Sequence, residues 1–316
     1  MQYRPLGRSG LHVSVVGLGC NNFGLRATPE NARAVIHKAI DVGVTFFDTA
    51  DVYGNKGGSE TLIGETLGAR RQEVVLATKF GMPMNDGTGP TRKSGASRRY
   101  ILDAVEASLK RLQTDWIDLY QLHRPDHGTP WDETLRALDQ LVRDGKVRYI
   151  GASNLSAWQV VETQWLAREL GTERFISEQD EYSLLKREAE RELIPALAHH
   201  GVGLLPYWPL ADGLLTGKYG AAQPLPEGSR LQRDPPRADR ILTERNLRIV
   251  AALDGLAKAH GRSLLELAFS WLAAQPQVGS VIAGATRPEQ VEQNARAADW
   301  VLDAATLARI DSITRA

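Results

Sequence analysis

A regular alternation of short apolar runs with longer amphipathic segments is the feature of this sequence that most constrains its fold. Runs rich in β-branched and aromatic residues predict buried strands, and a segment with helical periodicity follows each of them. We predict eight such strands, at Val15–Cys20, Thr45–Asp48, Val74–Lys79, Trp116–His123, Val147–Ser153, Phe175–Gln179, Gly203–Tyr207 and Val278–Ile282. Eight strand–helix units predict an α/β fold, a closed (β/α)8 TIM barrel that occupies residues 1–316 as a single domain.

Capping residues indicate where several helices begin. We predict helix starts at Thr28-Pro29, at Ser97, and at two capping boxes, Ser156–Gln159 and Thr286–Glu289.

Further segments lie outside the repeating units. Residues 1–14 carry a Gly-rich turn between two extended pieces, which predicts an N-terminal β-hairpin covering one end of the barrel. Residues 209–240 are rich in Gly, Pro and Arg and predict an irregular loop. Extra helices are predicted near the C-terminus, at 243–259, 263–274 and 303–314.

The alternative fold is an open doubly wound sheet. Such a sheet typically carries a Gly-x-Gly-x-x-Gly turn after an early strand. Gly17-Leu18-Gly19 begins this motif, but Asn22 stands where the third glycine belongs. The barrel is therefore the favoured fold.

The charge balance and the cysteine content exclude several classes of function. The chain has 38 basic and 38 acidic residues, so its net charge gives no argument for binding nucleic acid or an anionic membrane. Cys20 is the only cysteine, which rules out an internal disulfide, and His123 and His127 lack zinc-motif spacing, so we expect no metal site. The N-terminus lacks a long apolar core, and no apolar run approaches the length of a membrane span. We expect a cytoplasmic protein.

Four titratable residues end or follow consecutive predicted strands. Asp48, Lys79 and His123 end the second, third and fourth strands, and Tyr53 lies just beyond the second. Active sites of such barrels lie at the C-terminal ends of the strands, so these side chains are expected to meet. Each residue taken singly has a structural explanation, such as a turn or a packing contact. Their convergence favours a functional site.

The residue types point to protonation of an oxygen that gains negative charge. Tyrosine has a pKa of about 10 and is a weak acid near neutrality, but an ammonium beside it, here Lys79, lowers that pKa. Asp48 is expected to keep Lys79 charged and oriented, and His123 to hydrogen-bond a substrate oxygen. The oxygen of a carbonyl that receives hydride gains negative charge and must be protonated. A nicotinamide cofactor supplies hydride.

Six stretches share their residues and their order with one known family. They are Phe47–Gly54, Ala77–Phe80, Asp118–His123, Gly145–Asn154, Leu214–Tyr219 and Gly284–Asn294. On these stretches the chain resembles the aldo-keto reductases over essentially its whole length. The resemblance implies that Asp48, Tyr53, Lys79 and His123 form the family's catalytic tetrad, with Tyr53 as the general acid–base.

The resemblance also implies a set of residues that bind the nicotinamide cofactor. In the family, the residues matching Ser153, Asn154 and Gln179 contact the carboxamide, the one matching Tyr207 stacks on the nicotinamide, and the loop matching 210–218 clamps the pyrophosphate. The full expected set is Ser153, Asn154, Gln179, Tyr207, Trp208, Pro209, Leu210, Gly213, Leu215, Gly217, Lys218, Gly284, Thr286, Arg287, Gln290, Gln293 and Asn294.

Two positions depart from the family's pattern. Many relatives have a serine where Trp208 stands, so we interpret this indole as a wall of the pocket. Some relatives carry a lysine for the 2′-phosphate where Gly284 stands. Arg287, at a predicted helix N-terminus, can hold a phosphate there instead, so NADP(H) is favoured over NAD(H).

The expected function is an NADP(H)-dependent oxidoreductase that reduces the carbonyl of a small aldehyde or ketone to an alcohol. The expected substrate pocket comprises Asn22, Phe23, Val52, Phe80 and Arg124, with Trp208. One alternative is a non-catalytic, nucleotide-binding regulatory subunit on the same fold, because some relatives associate with ion channels. Another is a barrel lyase or isomerase that uses Tyr53 and Lys79 without nicotinamide.

Overall fold

A computed structural model describes residues 1–84, 93–219, 224–227 and 229–315. Its strands are β1 Tyr3–Pro5, β2 His12–Ser14, β3 Val16–Gly19, β4 Phe46–Asp48, β5 Val75–Phe80, β6 Ile117–Leu122, β7 Val147–Ser153, β8 Ser177–Glu181, β9 Gly203–Tyr207 and β10 Val281–Gly284. Its α-helices are α1 Pro29–Asp41, α2 Tyr53–Leu67, α3 Arg98–Leu112, α4 Trp131–Arg143, α5 Ala157–Leu170, α6 Leu193–His200, α7 Arg230–Arg233, α8 Pro235–Ile241, α9 Glu244–Ala259, α10 Leu264–Ala273, α11 Pro288–Ala297 and α12 Ala304–Thr314. Short 3-10 helices span Gly68–Glu73, Glu188–Glu190 and Ala211–Thr216.

Within the described residues, strands β3 to β10 form one parallel eight-stranded sheet that closes on itself. Neighbouring strands pair in chain order from β3 to β9, and β10 pairs with β3. A parallel bridge between Leu204 of β9 and Val278, just before β10, completes the ring. The predicted (β/α)8 barrel is confirmed, and the open doubly wound sheet is not what this sequence forms.

Two apolar layers stabilise the barrel. The larger layer lies between the strands and the surrounding helices, where the buried stripe of α1 supplies Ala32, Val35 and Ile36. The smaller layer fills the barrel interior and joins Phe46, Ala77 and Leu119 to the N-terminal hairpin.

The β1–β2 hairpin closes the end of the barrel at which the strands begin. Its turn residue Leu6 is fully buried and belongs to the same apolar cluster as Leu205 of β9. Burial of one leucine contributes about 1.5–3 kcal/mol. The hairpin is therefore an integral plug of the barrel interior.

The helix starts follow the predicted caps at three sites and differ at one. Thr28, Ser97 and the Ser156 capping box open α1, α3 and α5 as expected. At α11 the cap is displaced by one residue from the predicted Thr286–Glu289 box: Gln290 Oε1 accepts the backbone N–H groups of Thr286 and Arg287. Gln290 can reach both donors at once, and this decides the register of the cap.

The prediction of an irregular loop at 209–240 was wrong in part, because this segment contains α7 and most of α8. Ser229 caps α7, and Asp234 caps α8 with Pro235 at its first position. These are ordinary N-terminal signals, which the Gly/Pro/Arg-rich composition obscured. Residues 220–223 and 228 of this stretch lie outside the described part of the chain.

None of the helices in the described ranges combines the length and apolarity needed to cross a bilayer.

Candidate active site

Three neighbouring strands carry the predicted tetrad to the C-terminal mouth of the barrel. Asp48 is the last residue of β4, Lys79 lies near the end of β5, and His123 directly follows β6. Tyr53 opens α2, whose residues 54–57 have left-handed backbone angles, so that Tyr53 sits in an irregular turn before the regular helix. The four residues that the sequence singles out are brought together.

A buried ion pair lies at the centre of this group. Lys79 Nζ donates to Asp48 Oδ2 at 2.7 Å and to the backbone oxygen of Thr49 at 2.9 Å. The other Asp48 oxygen, Oδ1, accepts from Gln121 Nε2 at 3.1 Å and Gln179 Nε2 at 2.9 Å. Four strands therefore fix one carboxylate, since these residues come from β4, β5, β6 and β8.

Tyr53 lies between Lys79 and His123. The Lys79 ammonium is 5.1 Å from the centroid of the Tyr53 ring. The imidazole of His123 meets the same ring edge-on, with centroids 5.7 Å apart. The phenol therefore has a cation on one side and an imidazole on the other.

Burial and charge act in opposite directions on Tyr53. Burial raises the pKa of Tyr53, Lys79 lowers it, and the net result is a pKa above the usual value. The expected lowering by Lys79 is present, but burial outweighs it. Burial alone would lower the pKa of Lys79, yet Asp48 and Tyr53 together raise it, so the ammonium keeps its charge.

His123 is neutral at physiological pH. Burial, followed by the positive charges of Lys79 and Arg124, lowers the pKa of His123 to about 3. Its buried Nδ1 has no hydrogen-bond partner among the described residues. A neutral imidazole can donate one hydrogen bond without carrying charge into the site.

A large cleft extends from the tetrad across the top of the barrel, with a volume of about 1110 Å³. Most of the predicted site residues line it: Asn22, Arg124, Ser153, Asn154, Gln179, Tyr207, Trp208, Pro209, Leu210, Gly213, Lys218, Gly284, Thr286, Arg287, Gln290, Gln293 and Asn294. Asp48, Tyr53 and His123 line the same cleft. One continuous space thus joins the tetrad to the N-terminus of α11.

Lys79 is buried behind the cleft wall, and five further predicted residues also lie away from it: Phe23, Val52, Phe80, Leu215 and Gly217. Side chains alternate along a strand, so Lys79 points into the barrel while Phe80 points outward, where it stacks on Tyr120. Phe23 and Leu215 are also fully buried in the outer apolar layer.

The expected carboxamide-binding residues are linked to the tetrad by hydrogen bonds. Asn154, with a left-handed φ of 63°, donates to the backbone oxygen of His123 at 3.0 Å. Its amide oxygen accepts from the Tyr207 hydroxyl at 2.9 Å. Ser153 Oγ donates to the backbone oxygen of Gln179 at 2.8 Å.

Trp208 forms part of the cleft wall, in line with the interpretation of its indole. The residue has a left-handed φ of 51° and meets Tyr207 edge-on at 5.3 Å. The guanidinium of Arg237, in α8, lies 4.3 Å from the indole centroid.

Two features of the site were not predicted from the sequence. One is Gln121, whose place on Asp48 depends on the neighbouring strand. The other is a latch in which the buried Asp212 pairs with Arg230 at 2.9 Å and Arg237 at 2.8 Å. The latch ties the loop after β9 to α7 and α8, and the clustered arginines of 230–240 were its only sequence signal.

Among the residues described, no group of three or more His, Cys, Asp or Glu side chains is placed to hold a metal ion.

Comparisons with known proteins agree with this geometry. A sequence model of the Aldo/keto reductase family matches residues 15–315. The chain is 40% identical to a probable voltage-gated potassium channel subunit beta of Arabidopsis thaliana, over 95% of this chain and 92% of that protein. It is 40% identical to the uncharacterized oxidoreductase YrpG of Bacillus subtilis, over 99% of this chain and 96% of that protein. It is 38% identical to an L-glyceraldehyde 3-phosphate reductase of Escherichia coli, over 94% of this chain and 87% of that protein. The chain belongs to the aldo/keto reductase family.

Proposed function

We propose that the protein is an NADP(H)-dependent oxidoreductase that reduces aldehyde or ketone carbonyls to alcohols, with Tyr53 as the general acid–base. The observation that carries this proposal is the buried Asp48–Lys79 pair, whose ammonium lies 5.1 Å from the centroid of the Tyr53 ring. Burying an ion pair costs several kcal/mol of desolvation, so stability alone explains its presence poorly. Its position beside a phenol gives it a chemical role.

The cleft residues fit a nicotinamide dinucleotide. Ser153, Asn154 and Gln179 offer amide and hydroxyl groups next to the tetrad, suited to a carboxamide. At Gly284 an added Cβ would lie 2.8 Å from Asn22 Nδ2, so the missing side chain keeps this part of the cleft open. Lys218 lines the cleft farther along and offers positive charge for phosphate groups.

Bound in this cleft, the cofactor would supply a hydride to the carbonyl carbon of the substrate. Tyr53 would donate its phenolic proton to the carbonyl oxygen as negative charge develops there. Its raised pKa keeps Tyr53 protonated near neutral pH, as an acid must be before the reaction. Lys79, held charged by Asp48, would stabilise the phenolate that remains.

His123 would orient the same carbonyl oxygen. A neutral imidazole donates a hydrogen bond without competing with Tyr53 as the proton source, because an imidazolium would be the stronger acid. Arg124 lines the cleft beside His123 and offers a contact to an anionic group of the substrate.

Arg287 supports the preference for NADP(H). It is exposed at the cleft edge, at the N-terminus of α11, where helix dipole and guanidinium both favour a phosphate. The 2′-phosphate distinguishes NADPH from NADH, so a contact here would discriminate between them.

The second candidate function is a nucleotide-binding regulatory subunit. The similarity to proteins named as potassium channel beta subunits favours it. The convergence of all four tetrad residues at the end of the cleft favours turnover instead.

A carbonyl panel separates the two candidates. Aliphatic, aromatic and phosphorylated aldehydes and ketones are incubated with the protein and with NADPH or NADH, and oxidation of the cofactor is followed against a protein-free control. The proposal predicts turnover with NADPH. Tight NADPH binding without turnover of any carbonyl would favour the regulatory subunit. Failure to bind either cofactor would contradict both candidates and favour a lyase or isomerase.

A further inference from the structure

A second cavity, of about 410 Å³, lies at the end of the barrel opposite the tetrad. It is bounded by the N-terminal hairpin, the C-terminal half of α5 and the end of α6, next to the starts of β8 and β9. We call it the basal cavity. Its size falls within the range of small-molecule sites.

Positive charge dominates the basal cavity. Arg8, Arg168 and Arg174 line it, together with the adjacent His199 and His200, and no acidic residue does so in the described part of the chain. None of the three arginines forms an ion pair with any described residue. Three guanidiniums without an ion-pair partner among the described residues, gathered in one cavity, form a local anion-attracting field.

The backbone fixes one of these arginines in place. Arg8 N–H donates to the backbone oxygen of Gly201 at 2.7 Å, and the Arg8 side chain fills the space that a Cβ on Gly201 would occupy. Gly201 has a φ of 68°, which a side chain would strain.

Burial, His199 and Arg174 lower the pKa of His200, which agrees with a surplus of positive charge.

An aromatic surface lies beside the cations. Trp165 lines the basal cavity and is 56% exposed, whereas an indole of this size is usually buried to a large extent. The Arg168 guanidinium lies 5.5 Å from its ring centroid. An exposed indole next to several guanidiniums suits a ligand with a planar ring and a phosphate, because bases stack on aromatic side chains and arginine binds phosphate through two parallel hydrogen bonds.

We propose that the basal cavity binds a nucleoside monophosphate. The phosphate lies among Arg8, Arg168 and Arg174, and the base stacks on Trp165. This site is separate from the cleft at the tetrad, and its existence does not depend on the proposed reductase activity.

Fluorine NMR of protein labelled with 5-fluorotryptophan tests the proposal at the site itself. The chain has seven tryptophans, and Trp165→Phe and Trp208→Phe assign the resonances that report the basal cavity and the tetrad cleft. The full-length protein is titrated with AMP, ribose 5-phosphate, adenosine and inorganic phosphate. Arg174→Ala tests the phosphate contact, and Arg248→Ala, an exposed arginine on α9 away from the cavity, is the matched control.

The proposal predicts a saturable shift of the Trp165 resonance with AMP. Ribose 5-phosphate and adenosine should each bind about tenfold more weakly, since each lacks one recognised group. Arg174→Ala should weaken AMP binding, followed at the Trp165 resonance, about tenfold. This substitution should leave the other six tryptophan resonances at their wild-type positions. Arg248→Ala should leave the affinity for AMP unchanged. AMP shifts confined to Trp208, equal binding of AMP and ribose 5-phosphate, or an unchanged affinity in Arg174→Ala would each overturn the assignment.

Discussion

At the scale of single residues, the proton affinity of Tyr53 depends on a balance between burial and one ammonium. Burial raises the pKa of Tyr53 and Lys79 opposes it. In the reduction direction the protonated phenol is the active form, so activity should fall as the pH rises through this pKa.

Lys79→Met removes the opposing charge. The pKa of the catalytic acid should rise further, and the falling limb of the pH–rate profile should move to higher pH, while the rate drops by at least about 10²-fold. The measurement is kcat/KM as a function of pH. Lys218→Met, in the cleft but away from Tyr53, is the control and should leave the limb in place. An unmoved limb in Lys79→Met would show that Lys79 is not coupled to the acid.

Arg287→Ala tests cofactor choice. Charge-assisted hydrogen bonds contribute about 1.5–3 kcal/mol, and the contribution of an exposed arginine lies at the lower end of this range. NADPH should therefore bind about tenfold more weakly. NADH has no 2′-phosphate and should be unaffected. The dissociation constants of both cofactors are measured at low and high salt, and the loss should shrink at high salt.

Arg296→Ala, near the other end of α11, is the control for this experiment. Equal weakening of NADPH and NADH by Arg287→Ala would mean that Arg287 supports the loop and does not recognise the phosphate.

Some residue-level features follow from the sequence and others do not. The tetrad residues were predictable because strand ends and residue types locate them. The net direction of the pKa shift of Tyr53 was not, because it depends on how deeply the phenol is buried. The placement of Phe80 in the pocket was wrong because side chains alternate along a strand, so the residue after the inward-pointing Lys79 points outward.

At the scale of elements, the segment after β9 is held over the cleft by the Asp212 latch. Asp212 is buried and has a left-handed φ of 57°, and it pairs with one arginine of α7 and one of α8. Leu231 of α7 and Ala238 of α8 are also buried in the outer apolar layer.

Asp212→Asn should release α7 and α8 without unfolding the barrel. It removes both ion pairs and leaves two guanidiniums without an anionic partner. Backbone hydrogen exchange in 229–241 should become at least about tenfold faster, while exchange in the barrel strands stays unchanged. Hydrogen exchange followed by mass spectrometry measures both regions. Asp239→Asn, an exposed carboxylate on α8, is the control, and equal protection in all three proteins would contradict the latch.

The elements with clear periodicity and caps were predictable, and those in the Arg-rich segment were not. The stripe of α1 and the caps of α3 and α5 are local signals. Helices α7 and α8 are only four and seven residues long, too short for a periodic signal, and they depend on their docking to Asp212.

At the scale of the whole molecule, the closed ring brings together residues far apart in the chain. Gln179 reaches Asp48 across 131 positions because β4 and β8 face the same interior. The eight repeated units predict this closure, but the contacts between side chains of different strands depend on strand register and tilt. That is why the barrel was predictable and the role of Gln121 was not.

The folded state also holds a proton that the unfolded chain releases. Burial and then Glu60 raise the pKa of Asp51 from 3.8 to about 7. Between about pH 4 and 7 the folded state therefore binds one proton more than the unfolded state. Asp51 thus lowers the free energy of unfolding as the pH rises, by about 1.4 kcal/mol for each pH unit in that window.

Asp51→Asn should flatten this dependence. The difference in unfolding free energy, variant minus wild type, should rise between pH 4 and 7 and level off above pH 7. Urea unfolding at several pH values gives the difference directly. Asp103→Asn, an exposed carboxylate on α3, should show no such slope. Parallel pH curves for Asp51→Asn and wild type would contradict the assignment.

Tyr53→Phe tests whether Tyr53 transfers the proton in an NADPH-dependent carbonyl reduction. The measurement is kcat on the best carbonyl substrate together with the dissociation constant for NADPH. Tyr149→Phe, which removes a hydroxyl far from the cleft, is the control. We expect a loss in kcat of at least about 10²-fold with NADPH binding retained. Turnover by Tyr53→Phe at close to the wild-type rate would contradict it.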